Sequence, residues 1–167
     1  MTGQRIATAT VPDGVAGTRE VLKLMRREVQ QGCKDTRNLW LARSITAGLP
    51  NKAWIREIRA IFEWVRKNIR YSLDPDGFEL LQGAQKTIEL GAGDCDDMCI
   101  LLGTLLKLSG HPSWLLAVGF SEHMEFSHVL IQTRGAGETR IISLDATEPE
   151  PMGWFPPGVT CTMRADL

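Results

Sequence analysis

Residues 91–99 read GAGDCDDMC, and they join a glycine-rich turn to a long segment that carries almost no charge. Asp94 is a good N-cap, and the glycines before it let the backbone turn sharply, so a helix should begin at Cys95. Apolar residues then recur at the three-and-four spacing of a helix, at Met98, Leu101, Leu102, Leu105, Leu106 and Leu108. Residues 109–110 and a proline shortly beyond them should end it. The stretch therefore predicts a helix with a cysteine in its first turn.

This cysteine is the first candidate functional residue. The unpaired N–H groups and the positive end of the helix dipole favour a thiolate at Cys95, which is the usual position of a nucleophilic cysteine. Asp94, Asp96 and Asp97 would raise its pKa if their carboxylates faced the sulfur, so a nearby protonated histidine would have to outweigh them. A buried, unreactive cysteine is the alternative interpretation of this stretch taken alone.

Length and composition indicate one ordinary globular domain. The chain has 167 residues, 43% of them hydrophobic, a net charge of -1 and a pI near 6.3, which gives no bias towards nucleic acid or anionic membranes. The N-terminal residues lack the apolar core of a signal peptide, and no apolar run reaches membrane-spanning length. We therefore expect a soluble cytoplasmic protein whose cysteines are reduced thiols, at Cys33, Cys95, Cys99 and Cys161.

The sequence patterns divide this single domain into four parts. Residues 1–17 should form a loose arm and residues 18–50 a helical extension, with one helix from Thr18 to near Gly32 and a second capped by Asp35 or Thr36. Residues 54–148 should form the core, and residues 149–167 an irregular C-terminal wrap with 159–163 as a possible edge strand.

The core begins with a third helix and ends with strands. Asn51 should cap the helix, whose apolar stripe comprises Trp54, Ile58, Ile61, Phe62, Val65 and Ile69. An extended exit at 70–73, a turn at 74–77 and a loop lining the cleft at 78–90 should follow, because a short helix near 83–90 is only weakly indicated. The strand-like runs are 114–120, 126–133 and 140–145. Helices followed by an antiparallel sheet make an α+β fold.

A turn at residues 135–138 suggests how the last two strands pair. An antiparallel hairpin centred between residues 136 and 137 places Val129 opposite Leu144 and Ile131 opposite Ile142, on one apolar face. The same register places His128 opposite Asp145, close enough for a hydrogen bond. A slip of one residue would separate them, and a surface ion pair is the plainer alternative.

These three residues together suggest thiol chemistry. His128 would take the proton of Cys95, Asp145 would orient the imidazole, and the Cys95 backbone N–H would be an oxyanion donor at the helix start. His123 is the rival histidine but lies in a polar, loop-like stretch, and His111 is expected to be a connector. A metal site that uses Cys95 and Cys99 is the less favoured alternative, because neither Cys-x-x-Cys nor His-x-x-x-His occurs.

At this point the sequence resembles the transglutaminase-like superfamily, with its papain-like fold. The resemblance covers roughly residues 54–148 and is carried by WVRKNIRY at 64–71, GDCDD at 93–97, SGHP at 109–112, SHV at 127–129 and LDAT at 144–147. It implies that Cys95 is a nucleophile, His128 its base and Asp145 the orienting residue. Family members act as transamidases, peptidases or amidases, and some have lost activity. The sequence departs from the family pattern at Val129, where an aromatic residue is common.

Together these observations predict a cysteine-dependent enzyme that acts on an amide or isopeptide bond of a protein or peptide, with no metal or cofactor. Hydrolysis is favoured because the single domain shows no module for an amine acceptor. Transamidation and a non-catalytic assembly or binding module, to which Trp154 and Phe155 could contribute, are the alternatives. The short chain without targeting signals suggests a bacterial or phage-type member of the family.

Overall fold

The fold is known from a computed structural model that describes residues 14–73, 80–121, 123 and 125–167. The predicted turn at 74–77 and residues 1–13 of the predicted arm lie outside the described residues. Helices come first and an antiparallel sheet follows, which confirms the predicted α+β class. The elements are α1 (Gly14–Gly32), α2 (Thr36–Thr46), α3 (Trp54–Asn68), β1 (Arg70–Tyr71), α4 (Ala84–Leu90), β2 (Ala92–Gly93), α5 (Cys95–Leu108), β3 (Ser113–Gly119), β4 (Phe126–Thr133), β5 (Ile142–Leu144) and β6 (Cys161–Asp166).

Helix α5 lies at the centre of the molecule. It begins at Cys95 and is capped by Asp94 and Ser109, as predicted. Every residue from Asp96 to Leu106 is buried, because α1, α2, α3 and α4 pack around the helix and β3 and β4 pack beneath it. Burial on all sides explains why the segment carries almost no charge, since each buried leucine or isoleucine contributes about 1.5–3 kcal/mol.

The three N-terminal helices follow the sequence patterns with two corrections. Residues 14–17 belong to α1, so they are not part of a loose arm. Asp35 caps α2 by accepting a hydrogen bond from the Arg37 backbone N–H at 2.9 Å, as predicted. The predicted cap of α3 at Asn51 is wrong, because Ala53 occupies the cap position and gives no side-chain bond. The predicted stripe of α3 is buried from Ile58 to Val65 and packs against the core.

The segment before α5 contains a helix where a loop was expected. Residues 84–90 form α4, and packing of the buried Ala84 and Thr87 against the core outweighs the weak local signal of so short a helix. Gly91 ends α4 in the left-handed conformation, with φ of 61°, which glycine adopts without strain. The chain then pairs in parallel with β1, with Tyr71 opposite Gly93. Tyr71 is thereby fixed beside the start of α5.

The sheet has the order β5-β4-β3-β6, and its neighbouring strands are antiparallel. The C-terminal segment is not wholly an irregular wrap, because Cys161–Asp166 forms β6 beside β3, slightly beyond the predicted edge strand. One face of the sheet packs on α5 and belongs to the main core, through Leu115, Ala117, Val129, Ile131, Ile142 and Leu144. The other face carries a smaller apolar cluster of Leu116, Val118 and Leu130.

The pairing of β4 with β5 differs from the prediction by two residues. Leu144 lies opposite Ile131 instead of Val129, because residues 134–141 form a longer connection than the tight hairpin assumed. A shift of two keeps every side chain on its predicted face. A bulge at Ser127 interrupts the pairing of β4 with β3 next to His128, since Val118 pairs with His128 and Gly119 with Phe126. Bulges of this kind re-aim neighbouring side chains.

His111 is more than a connector. It follows α5 and is buried, and its Nε2 lies 3.1 Å from a carboxylate oxygen of Glu57 on α3. Burial lowers the pKa of His111 and outweighs the opposing effect of the Glu57 carboxylate. The pair therefore joins α3 to the turn between α5 and β3, away from Cys95.

Candidate active site

The His–Asp pair predicted from the sequence is present. The Nε2 atom of His128, on β4, lies 2.7 Å from Oδ2 of Asp145, which directly follows β5. Oδ1 of Asp145 accepts hydrogen bonds from the hydroxyl of Thr147 at 2.6 Å and from its backbone N–H at 3.1 Å. Burial alone would raise the pKa of Asp145, but the hydrogen bonds from His128 and Thr147 outweigh it and the pKa is lowered. A buried carboxylate thus holds Nε2 and leaves Nδ1 of the ring available.

The sulfur of Cys95 lies against the strand that carries His128. A hydrogen bond from the backbone N–H of Val129, the residue after His128, favours the thiolate form of Cys95. One turn further along α5, the thiol of Cys99 donates to the carbonyl oxygen of Val129 at 3.5 Å and is buried. Cys99 therefore fixes the first turns of α5 on β4, and Cys95 and His128 line one cavity of about 380 Å³.

The electrostatics of Cys95 differ from the sequence-based expectation. Burial raises the pKa of the thiol, and the charges of Asp96 and Asp94 raise it further. The thiol also donates a hydrogen bond to Oδ1 of Asp96 at 3.5 Å, which favours the protonated form. Together these effects favour the protonated thiol over the thiolate.

This balance predicts how the thiol reacts. The rate of Cys95 alkylation by iodoacetamide should rise with pH through an inflection above the value of about 8.5 for a free cysteine. Asp96→Asn removes a charge and a carboxylate acceptor, so it should lower the pKa and speed labelling at pH 8 by about threefold to tenfold. The rate is measured by mass spectrometry of the labelled peptide. Glu63→Gln, an exposed change on α3, should leave it unchanged, and a wild-type inflection below about 8.5 would contradict the assignment.

Helix α1 forms one wall of the cavity that contains Cys95 and His128. Gly14, Gly17, Thr18, Val21, Leu22 and Met25 all line the cavity from this helix. The opposite wall comes from α5, β3 and β4, including Phe126 and Ser127 beside the bulge. The N-terminal extension is therefore part of the candidate site and not an appendage to it.

Asp97 has a structural role that the sequence analysis missed. It is fully buried and accepts two hydrogen bonds from Gln82, from the backbone N–H at 2.7 Å and from the side-chain amide at 2.5 Å. It packs closely on Gly93, where a Cβ atom would lie 2.6 Å from the Asp97 Cβ. Unlike Asp94 and Asp96, it is not among the groups that raise the pKa of Cys95. The sequence signal for this close packing is Gly93, four residues before Asp97, where any larger residue would collide with the Asp97 side chain.

Tyr71 is a second residue whose place at the site the sequence analysis missed. Burial raises the pKa of its phenol, the carboxylates of Asp94, Glu148 and Asp145 add to this, and Cys95 would add to it in its thiolate form. The hydroxyl is therefore near both the cysteine and the carboxylate that holds His128, although the side chain is 45% exposed. With a raised pKa it stays protonated and can donate a hydrogen bond.

Within the described residues, no group of three or more His, Cys, Asp or Glu side chains is arranged to hold a metal ion. The four cysteines are all free thiols. Over the same part of the chain, every helix is too short or too polar to cross a membrane.

The fold and the family agree. A cysteine-bearing helix packed on an antiparallel sheet is the papain-like, transglutaminase-like architecture expected from the sequence. The family model described as the transglutaminase-like superfamily matches residues 40–129, more than half of the chain. The chain therefore belongs to the transglutaminase-like superfamily. No curated protein matches it.

Several solved structures share the fold. A candidate protease from Parabacteroides distasonis has a TM-score of 0.61 and 16% identity over 78% of this chain and 26% of its own. A candidate cysteine protease from Cytophaga hutchinsonii has a TM-score of 0.55 and 19% identity over 81% of this chain and 47% of its own. LapG from Legionella pneumophila has a TM-score of 0.56 and 15% identity over 84% of this chain and 79% of its own. The chain thus spans about a quarter and about half of the first two proteins.

Proposed function

We propose that this protein is a cysteine peptidase or amidase that cleaves an amide or isopeptide bond of a protein or peptide through an acyl-Cys95 intermediate. The observation that carries the proposal is the 2.7 Å hydrogen bond between His128 and the buried Asp145, together with the cavity that both His128 and Cys95 line. Membership of the superfamily supports it, and so does the description of two similar structures as candidate proteases. The free thiols fit action in a reducing cytoplasm.

In the proposed first step, His128 acts as a general base. Because Asp145 engages Nε2, Nδ1 takes the proton from the Cys95 thiol as the sulfur attacks the carbonyl carbon of the substrate. The surroundings of Cys95 raise its pKa, so proton transfer accompanies attack and does not precede it. Asp145 stabilises the imidazolium that forms. Collapse of the tetrahedral intermediate breaks the C–N bond, and the departing amine takes the proton from His128.

The negative charge on the substrate oxygen needs hydrogen-bond donors. The backbone N–H of Cys95 is one, because it is in the first turn of α5, where N–H groups have no partner within the helix. The protonated hydroxyl of Tyr71 supplies a second donor from β1. Water activated by His128 then attacks the acyl-cysteine and releases the carboxylic acid and the thiol.

Acylation of Cys95 by 4-nitrophenyl acetate tests the proposal without knowledge of the natural substrate. The enzyme should release a burst of one equivalent of 4-nitrophenol, and mass spectrometry should find the acetyl group on the peptide that contains Cys95. His128→Ala should lose the burst. Cys161→Ala is the matched control, because Cys161 is a partly buried free thiol like Cys95, and this variant should keep the full burst.

Added methylamine distinguishes hydrolysis from transfer. A hydrolase should release acetate at a rate that millimolar methylamine does not change, whereas a transamidase should form N-methylacetamide in competition with water. Absence of any burst, with no acetyl group on the peptide that contains Cys95, would overturn the catalytic proposal and favour the binding-module alternative.

A further inference from the structure

Helix α1 borders a second cavity on the side away from Cys95 and His128. One side lines the cavity of Cys95 and His128, whereas Arg19, Lys23 and Arg26 follow the other side at helical spacing. Across from these cations lies β6, and the space between the two elements is a second cavity of about 330 Å³. Leu22 lines both cavities, so one helix separates them.

The second cavity, which we call the cationic groove, has charged walls and an apolar floor. Three cations from α1, Arg19, Lys23 and Arg26, line one wall, while Leu22, Met163 and Ala165 supply the apolar surface and Arg164 of β6 borders the groove between Met163 and Ala165. Its guanidinium is held over the ring of Trp114, on the other face of the sheet, with 4.5 Å between the guanidinium carbon and the ring centre.

Some of this positive charge is already neutralised. Lys23 pairs with Glu20 at 2.6 Å, and Arg164 lies 3.9 Å from Asp166. Among the described residues, neither Arg19 nor Arg26 makes an ion pair. In a protein of net charge -1 this leaves a local excess of positive charge, and arginine forks are suited to binding carboxylates with two hydrogen bonds.

The groove also follows the edge of a strand. The backbone N–H of Leu167, which continues β6, donates a hydrogen bond to the carbonyl oxygen of Ser113, the first residue of β3, at 3.2 Å. Because backbone groups alternate along an antiparallel strand, those of Met163 and Ala165 point towards β3, and those of Arg164 point away from it. Within the described residues β6 pairs with β3 alone. An extended polypeptide can pair with such an edge.

We propose that the cationic groove binds an acidic segment of the polypeptide substrate whose scissile bond lies at Cys95. The cations would bind carboxylates, the apolar floor would accept the side chains between them, and the outward backbone groups of β6 would pair with the extended main chain. The strand edge and apolar floor favour a polypeptide over other polyanions. The inference deepens the proposed function and rests on it for the position of the scissile bond.

Geometry sets the spacing between the two parts of the substrate. The helical rise of about 1.5 Å per residue separates Thr18 in the catalytic cavity from Arg26 in the groove by about 12 Å. An extended peptide covers about 3.3 Å per residue, so about four residues of substrate span the distance along α1 from the catalytic cavity to the far end of the groove at Arg26.

Binding to a Cys95→Ala background separates this inference from the catalytic one. Fluorescein-labelled peptides of alternating Glu and Leu, and matched peptides of alternating Lys and Leu, are titrated by fluorescence anisotropy. The acidic peptide should bind at least about tenfold more tightly. Arg19→Glu with Arg26→Glu should reverse this preference, because the groove then attracts the lysine peptide.

A matched pair of substitutions controls for the change in net charge. Arg27→Glu with Arg59→Glu alters two exposed arginines outside the groove, on α1 and α3, and should leave the preference for the acidic peptide intact. Equal binding of the two peptides, or the same response to both pairs of substitutions, would overturn the proposal. So would equally tight binding of a single-stranded oligonucleotide, since the groove would then be a general anion patch. Because Cys95 is absent, a failed acylation experiment does not affect these outcomes.

Discussion

Replacement of His128 by alanine is expected to lower kcat/KM for amide cleavage by about 10⁴-fold. The variant loses the proposed base for the Cys95 proton and the proposed acid for the leaving amine, and the raised pKa of Cys95 leaves little thiolate to react without a base. Hydrolysis of a peptide anilide measures the loss once a cleaved peptide has been found. Until then, the acylation rate with 4-nitrophenyl acetate gives the first half-reaction.

Two further variants make the His128 result specific. Asp145→Asn keeps a hydrogen-bonding group beside Nε2 but removes the charge that stabilises the imidazolium, so it should retain more activity than His128→Ala at high pH. His123→Ala changes an exposed histidine and should leave kcat/KM unchanged. Retention of more than about a tenth of the activity by His128→Ala would exclude it as the general base.

Asp97→Ala is expected to lower the free energy of unfolding by about 3–5 kcal/mol. The carboxylate is fully buried, and its removal leaves both Gln82 donors without their acceptor and a cavity beside Gly93. The loss should also release the segment before α4 from the first turn of α5. Urea unfolding followed by far-UV circular dichroism measures the change.

The companion variants for Asp97 differ in what they preserve. Asp97→Asn keeps one carbonyl acceptor for Gln82 and should cost about half as much as the alanine variant. Asp166→Ala removes an exposed carboxylate and should change stability by less than about 0.5 kcal/mol. If Asp97→Ala lowers the free energy of unfolding by less than about 1 kcal/mol, the hydrogen bonds from Gln82 do not stabilise the start of α5 as described.

Regular elements could be predicted where one local signal dominates. Helix α5 lies between Asp94 and Ser109 because an N-cap and a C-terminal turn flank an almost uniformly apolar run, and β4 has the bounds predicted for it, 126–133. Helix α4 was missed because it is short and has no side-chain cap, so tertiary packing stabilises it. The cap of α3 was placed at Asn51 for the opposite reason, since a favourable residue type stands two residues before the actual cap at Ala53.

The His–Asp pair was predicted despite an incorrect register. Side chains alternate between the two faces of a sheet with a period of two, so the sequence predicts which residues share a face. It does not predict the length of a connection such as 134–141, which sets the register. His128 and Asp145 therefore meet as diagonal neighbours, and not as directly opposed residues. The position of Tyr71 depends on the parallel pairing of β1 with β2. Strands of two residues are too short to show a sequence pattern, so this pairing could not be predicted.

The protonation state of Cys95 could not be read from the sequence either. In the GDCDD stretch, the carboxylates of Asp94 and Asp96 raise the pKa of the Cys95 sulfur, whereas that of Asp97 accepts a hydrogen bond from Gln82. The three aspartates differ only in where the backbone at the helix start places them. Because contributions to the Cys95 pKa have opposite signs, their sum depends on distances and burial that the sequence does not contain.

The strand order has a consequence for how the chain folds. Strand β3 pairs with β4 after a short loop and with β6 after about 40 residues, and closing the longer loop costs more chain entropy. The β3–β4 hairpin should therefore form early and β6 should join last. An intermediate with β3, β4 and β5 docked on α5 would already bring together Cys95 and His128, the proposed nucleophile and base, yet it would lack one wall of the cationic groove. The proposed hydrolytic site and the proposed substrate-selecting groove would then be completed at separate stages of folding.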